Sequence, residues 1–285
     1  MELRDTARAT DGYPLAVTRF PAEGRAWATA LVAPAMAVRQ DFYAPYARFL
    51  AQNGVHALTF DYRGIGASRA APLRSTQATV TDWATKDFEA MLGEARRAAP
   101  ALPLVVAGHS LGGQILGLAP SNASVRAAIH VVAGSGYYGF NERMRWRVRL
   151  LWFVALPLFT RLFGYFPGRR LGIIGDLPKG AALQWRRWCT HPLYALSEGE
   201  AARASFERVT ARILSYSFED DPMIEARAVD SLNGFYRHAR IEHRHVDPRA
   251  TGAAIGHFGF FSEASGARLW RESLDWLREA LAAGV

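Results

Sequence analysis

"VVAGHSLGGQ", residues 105–114, decides how the rest of the chain is read. Val105, Val106 and Ala107 form a short apolar run of the kind that fills a buried strand, and the run stops at Gly108. "LGGQILGLA" then opens a helical pattern, so Ser110 stands on the turn between strand and helix, with Gly108 and Gly112 on either side. Without side chains, those two glycines let strand and helix approach closely while residue 110 takes a strained backbone that lifts its hydroxyl into the open. A helix starting at Leu111 aims free N–H groups and the positive end of its dipole at the same spot.

The flanking segments say what kind of sheet that strand joins. "ATDGYPLAVTRF" sets Asp11-Gly12 between two β-like runs, a hairpin signal. "WATALVAPAM" (27–36) reads as a third strand. "DFYAPYARFLAQNG" follows with helical spacing at Phe42, Tyr46, Phe49 and Leu50, and "VHALTF" is a buried strand running into "DYRGIGAS". Thr81 or Asp82 is expected to cap a helix through Trp83, Phe88, Met91 and Leu92 to Pro100. "VRAAIHVVAGSG", "RILSYS" and "RIEHRHV" are further strands, with a helix around "AVDSLNGFY" and a last helix capped by Ser262. Strands alternating with helices predict an α/β chain whose mostly parallel sheet is covered on both faces. Between Gly136 and Phe206 aromatics and arginines crowd together, prolines interrupt, and no strand is expected. Residues 136–206 therefore read as an insertion between two parts of one core, 1–135 and 207–285.

Composition narrows the function classes. The 285 residues can bury a large core, and 50% apolar with 21% charged is ordinary globular usage. The net charge of +8 comes almost entirely from arginine, since Lys86 and Lys179 are the only lysines. The arginines are scattered and no recognisable module accompanies them, which argues against a nucleic-acid partner. The single cysteine, Cys189, excludes an intramolecular disulfide and suits a reducing compartment. "MELRDTARAT" lacks the apolar core of a secretory signal, and "LLWFVALPLF" (150–159) is too short to span a bilayer and contains Pro157. A soluble, cytoplasmic protein is expected. The sequence carries no signal for oligomeric state.

A serine at the carboxyl end of a parallel strand occupies the place where open α/β sheets bind ligands. Gly108-His109-Ser110-Leu111-Gly112 fits the Gly-x-Ser-x-Gly nucleophile elbow. Serine is a poor nucleophile near neutral pH and needs a base, itself oriented by a carboxylate. The chain supplies these in the order serine, acid, histidine. "FEDDP" follows one late strand and "GHFGFF" follows the last. His257, in a glycine-flanked loop, is the candidate base, whereas His243 and His245 lie within a strand and read as structural rather than as metal ligands. Asp221, followed by Pro222, is favoured as the acid, with Asp220 the alternative one residue away. Such a triad requires no metal and no organic cofactor. Cys189, with neither partner nor elbow, reads as inert.

On "FDYRGIGAS" (60–68), "GHSLGG" (108–113), "FEDDP" (218–222) and "GHFGFF" (256–261) the chain resembles the α/β-hydrolase superfamily over nearly its whole length. Within it the chain is similar to bacterial hydrolases of the serine aminopeptidase and monoglyceride-lipase type. The resemblance implies an eight-stranded sheet with a helical cap inserted after the sixth strand. It also implies an oxyanion hole built partly from the loop after the third strand, "APAMAV". Many relatives carry His-Gly where this chain has Pro34-Ala35, so the Met36 N–H, with that of Leu111, would form the hole. The implied reaction is hydrolysis of an ester, thioester or related acyl bond of a small, largely apolar acyl substrate. A non-catalytic ligand-binding protein on the same fold is the rival from another class. An acyltransferase or a cofactor-free peroxidase would use the same three residues.

The insertion holds "RMRWRVRLLWFVALPLFTRLFGYFPGRR" and "QWRRWCTHPLY". Its aromatics are read in three ways: as packing of the cap on the core, as an apolar wall over Ser110 with Arg143 to Arg149 on its rim, or as a face for peripheral membrane contact flanked by arginines.

Overall fold

Alternate side chains of the central strands pack on opposite faces of one sheet. In the computed structural model, which describes residues 1–250 and 252–282, strand β3 (Ala28–Ala33) sends Leu31 and Ala33 into one apolar core and Ala30 and Val32 into the other. A strand covered on both sides must be apolar throughout, which is why "LVVAG" shows no polar alternation.

The strands in chain order are β1 (Leu3–Arg8), β2 (Pro14–Phe20), β3, β4 (Val55–Phe60), β5 (Leu104–His109), β6 (Val125–Val131), the short β7 (Tyr165–Phe166) and β8 (Leu177–Pro178), β9 (Arg212–Phe218) and β10 (Arg240–Val246). The main sheet has eight strands in the order β1-β2-β4-β3-β5-β6-β9-β10. β1 pairs antiparallel with β2, and β2 with β4; every other pairing is parallel. β5, the strand that leads to Ser110, lies near the middle with every residue buried. The Asp11-Gly12 turn closes the first hairpin, with Gly12 at φ 84°.

The helix after β4 corrects one expectation. Its cap is Thr79, not Thr81 or Asp82: the Thr79 hydroxyl accepts the Asp82 N–H, and the Asp82 carboxylate accepts the Thr79 N–H at 2.8 Å. This is a reciprocal capping box in which Asp82 is the third helical residue rather than the cap. The helix runs on to Ala98 through a π turn at Trp83–Phe88.

The insertion is mainly helical but not strand-free. β7 and β8 pair antiparallel within it, a two-residue ribbon too short to leave a periodic signal in sequence. Arg145–Leu150, a π turn at Leu151–Ala155 and Leu156–Phe163 form one continuous helix that ends at Gly164, φ 75°. It packs on the helix Lys179–Cys189. Helix Glu200–Glu207 returns to the sheet, where the Ser205 carbonyl accepts from Asn122 Nδ2 at 2.8 Å and Phe206 packs over Gly117. Among the described residues no helix is long and apolar enough to cross a membrane.

Candidate active site

Ser110 has φ 48° and ψ −110°, a conformation that L-residues rarely adopt, and it caps the helix Leu111–Gln114. Its N–H donates to the Val131 carbonyl at 2.8 Å, tying the turn to the adjacent strand β6. Both flanking glycines are forced by contact. A Cβ on Gly112 would lie 2.2 Å from the Ala33 carbonyl oxygen, and one on Gly108 would lie 2.5 Å from Gly113 N. The helix beyond is shorter than "LGGQILGLA" suggested, passing into a 3-10 turn at Leu116–Leu118.

The turn after β9 supplies two aspartates with different tasks. His257 Nδ1 meets Asp221 Oδ2 at 2.8 Å, and both side chains are buried, 6% and 1% exposed. Asp221 Oδ1 accepts the N–H groups of Met223 (2.7 Å) and Ile224 (3.1 Å), so the carboxylate cannot swing away. Asp220 instead accepts the N–H groups of Ile255 (2.8 Å) and Gly256 (2.9 Å). One carboxylate holds the imidazole and the other holds the loop that presents it.

Sequence reasoning missed His109. Its Nε2 lies 2.8 Å from the His257 carbonyl oxygen, which can only accept, so Nε2 carries the proton. Nδ1 then accepts from the Tyr43 hydroxyl at 2.8 Å, and the Tyr43 oxygen accepts the Ala35 N–H at 2.8 Å. Burial, with His257 beside it, holds the His109 pKa well below the usual histidine value, so the ring is neutral. A chain of three hydrogen bonds thus ties the loop before Met36 to the loop of His257 through the residue preceding Ser110.

Met36 rides on a turn closed by Val38 N–H to the Ala35 carbonyl (3.2 Å), with Ala37 at φ 60°. Among the described residues neither the Met36 nor the Leu111 N–H has an intramolecular acceptor. Met36, Ser110, Leu111 and His257 all line a cavity of about 460 Å³, roofed by the insertion through Leu151, Trp152 and Trp185. Among the described residues no hydrogen bond joins Ser110 Oγ to the imidazole, though both line the same cavity. Among the described residues, the only charged ones in its lining are Arg147 and Glu225.

A family model described as serine aminopeptidase, S33 matches residues 25–166. A soluble variant of monoglyceride lipase from Saccharomyces cerevisiae, solved with a substrate analogue, superposes at TM-score 0.67. The identity is 14%, over 98% of this chain and 95% of that one. A thermostable carboxyl esterase from Bacillus coagulans, in complex with glycerol, gives TM-score 0.68 at 10% identity over 98% of each chain. The chain has the α/β-hydrolase fold. An esterase from Exiguobacterium antarcticum shares the fold at TM-score 0.59 and 15% identity, over 97% of this chain and 100% of that one. No curated protein matches.

In this fold the other sequence candidates are engaged elsewhere. Ser217 Oγ sits 2.8 Å from both His243 Nε2 and His245 Nδ1, while Asp230 and Glu219 bond their remaining nitrogens. Cys189 lines the cavity but is fully buried, and burial pushes its thiol pKa well up, which suppresses the reactive thiolate.

Proposed function

We propose that the chain is a serine hydrolase that cleaves ester or thioester acyl bonds of small, largely apolar substrates. Ser110 Oγ attacks the acyl carbonyl while His257 Nε2 takes its proton. Asp221 keeps the other imidazole nitrogen protonated and stabilises the imidazolium. The Met36 and Leu111 N–H groups receive the carbonyl oxygen as it becomes an oxyanion. Collapse expels the alcohol or thiol, which leaves with the proton from His257. Water then attacks the acyl-enzyme by the same route, releasing the acid and freeing Ser110.

The observation that carries this reading is the 2.8 Å bond between buried His257 and Asp221, on the wall of the cavity into which the strained Ser110 turn projects. The names of the structural neighbours, a monoglyceride lipase and two esterases, accord with it. In this reading the core segments 1–135 and 207–285 supply the reacting groups, and the insertion 136–206 supplies the apolar wall for the acyl chain.

Intact-mass analysis after treatment with an activated fluorophosphonate tests it, together with turnover of p-nitrophenyl esters of graded chain length. One adduct per chain is expected, lost in Ser110→Ala, with hydrolysis falling by several powers of ten. Full labelling of Ser110→Ala at another serine would overturn the assignment.

A further inference from the structure

The cap helix 145–163 presents two interleaved rows of side chains spaced four apart. Trp152, Leu156 and Thr160 are buried against the rest of the molecule. Trp146, Leu150, Val154, Leu158 and Leu162 stand in solvent, Trp146 67%, Leu150 60% and Leu162 69% exposed. A spacing of four drifts around a regular α-helix, and the wider π turn at Leu151–Ala155 reduces that drift, keeping the outer row a stripe. Phe153 and Phe163 extend its exposed apolar surface, as does Ile173 on the following loop. A contiguous apolar patch of this kind on a folded protein marks something that covers it.

The charges beside the stripe say what covers it. Residues 145–163 contain Arg145, Arg147, Arg149 and Arg161 and no acidic residue. Among the described residues none of the four forms an ion pair with a carboxylate; Arg145 and Arg149 lie over the Trp146 ring instead. Two copies placed face to face would set arginine against arginine, so a second copy of this chain is a poor occupant. An anionic surface with an apolar interior satisfies both the charges and the stripe.

The cavity supplies a third observation. Leu150 and Ile173 belong both to the exposed apolar face and to the lining of the cavity over Ser110, so the cavity opens on that face. We propose that the exposed stripe of the cap helix docks on an anionic phospholipid surface with the cavity mouth turned toward the lipid. The substrate then is an acyl amphiphile that partitions into the bilayer and reaches Ser110 without crossing water. That route for the substrate rests on the hydrolase reading; the docking does not.

Sedimentation of the full chain with vesicles, of phosphatidylcholine alone or with part replaced by phosphatidylglycerol, tests the docking. Ser110→Ala protein is used in parallel, so that a failure of the hydrolase reading and a failure of docking are read separately. Binding to the anionic vesicles is expected, weakening as salt rises. Leu158→Ser with Leu162→Ser, both exposed and outside the cavity lining, should weaken it about tenfold or more while leaving turnover of a soluble butyrate ester unchanged. Arg145→Gln with Arg161→Gln should weaken binding to anionic vesicles about thirtyfold. Wild-type protein that fails to sediment with either vesicle overturns the proposal, as does binding unaffected by both double variants. A concentration-dependent dimer that the leucine variant dissolves would assign the face to a second copy and overturn it too.

Discussion

His109 Nε2 donates to the main-chain carbonyl of His257 across 2.8 Å, so the residue before the candidate nucleophile fixes the backbone that carries the candidate base. Tyr43 holds the other ring nitrogen of His109 and also receives the Ala35 N–H. Removing the ring cuts the tie between the two loops. We expect His109→Ala to lower kcat about a hundredfold, the cost of displacing reacting groups by roughly an ångström. KM should change little, because neither His109 nor Tyr43 lines the cavity. His109→Gln, whose amide can both donate and accept, should recover part of the loss. Equal kcat and KM in all three proteins would show that the tie has no bearing on catalysis.

The two adjacent aspartates separate by function. Asp221→Asn keeps the shape but favours the wrong imidazole tautomer, and kcat should fall by about 10⁴. Asp220→Asn weakens the grip on Ile255 and Gly256. It should cost about 1–3 kcal/mol of stability, as for other charge-assisted bonds, and far less turnover than Asp221→Asn. The opposite ranking in turnover would make Asp220 the acid.

His130, on β6, gives a pH signature of stability. It is fully buried, and burial lowers its pKa to about 3. In the unfolded chain it titrates near its ordinary value, so between about pH 6.5 and 3 the unfolded state binds a proton that the folded state does not. Stability from this residue is therefore complete above pH 6.5 and lost as pH falls. Relative to His130→Leu, the wild type should lose about 1.4 kcal/mol per pH unit across that window. Urea unfolding at a series of pH values reads the difference; a constant offset would contradict the assignment.

Gly112→Ala would press a methyl into the Ala33 carbonyl, main chain that cannot yield without moving β3. We expect about 1–3 kcal/mol of destabilisation or more, together with loss of fluorophosphonate labelling at Ser110. Thermal unfolding and intact mass report the two effects. Normal stability with normal labelling would show that the close approach is not required.

These glycines also explain why the elbow was legible. Its geometry is set by contacts between residues a few positions apart and one neighbouring strand, so "GHSLGG" is nearly sufficient. The sheet was legible for a related reason, because strands buried on both faces have to be apolar runs. Thr79 was obscured because "TVTD" offers several capping residues and only the reciprocal bond with Asp82 chooses among them. The choice between Asp220 and Asp221 turned on one residue of register in a turn; which carboxylate meets His257 and which meets Ile255 depends on a loop distant in sequence. His109 depended on Tyr43 and on the His257 carbonyl, both distant in sequence, and a buried histidine next to a serine carries no local mark of such partners.

Glu225 bears on the charge of the substrate that the proposed hydrolase would take. An aminoacyl substrate brings a protonated amine beside the scissile bond, and that ammonium needs a carboxylate. The insertion offers few acids among many arginines, and among the described residues Glu225 is the only carboxylate in the cavity lining. That carboxylate is already committed. Its Oε1 accepts the N–H groups of Glu142 (2.7 Å) and Arg143 (3.2 Å), and Oε2 lies 3.5 Å from Arg227 Nε. An ammonium buried here would lose water, face Arg147 and find, among the described residues, no carboxylate in the lining that is not already engaged. A neutral acyl chain meets none of these costs and can bury itself on Leu151, Trp152 and Trp185. We therefore expect hydrolysis of butyrate and octanoate p-nitrophenyl esters and negligible cleavage of aminoacyl anilides, the proline anilide included. Faster turnover of the proline anilide than of either ester would refute the substrate reading while leaving Ser110, His257 and Asp221 in place.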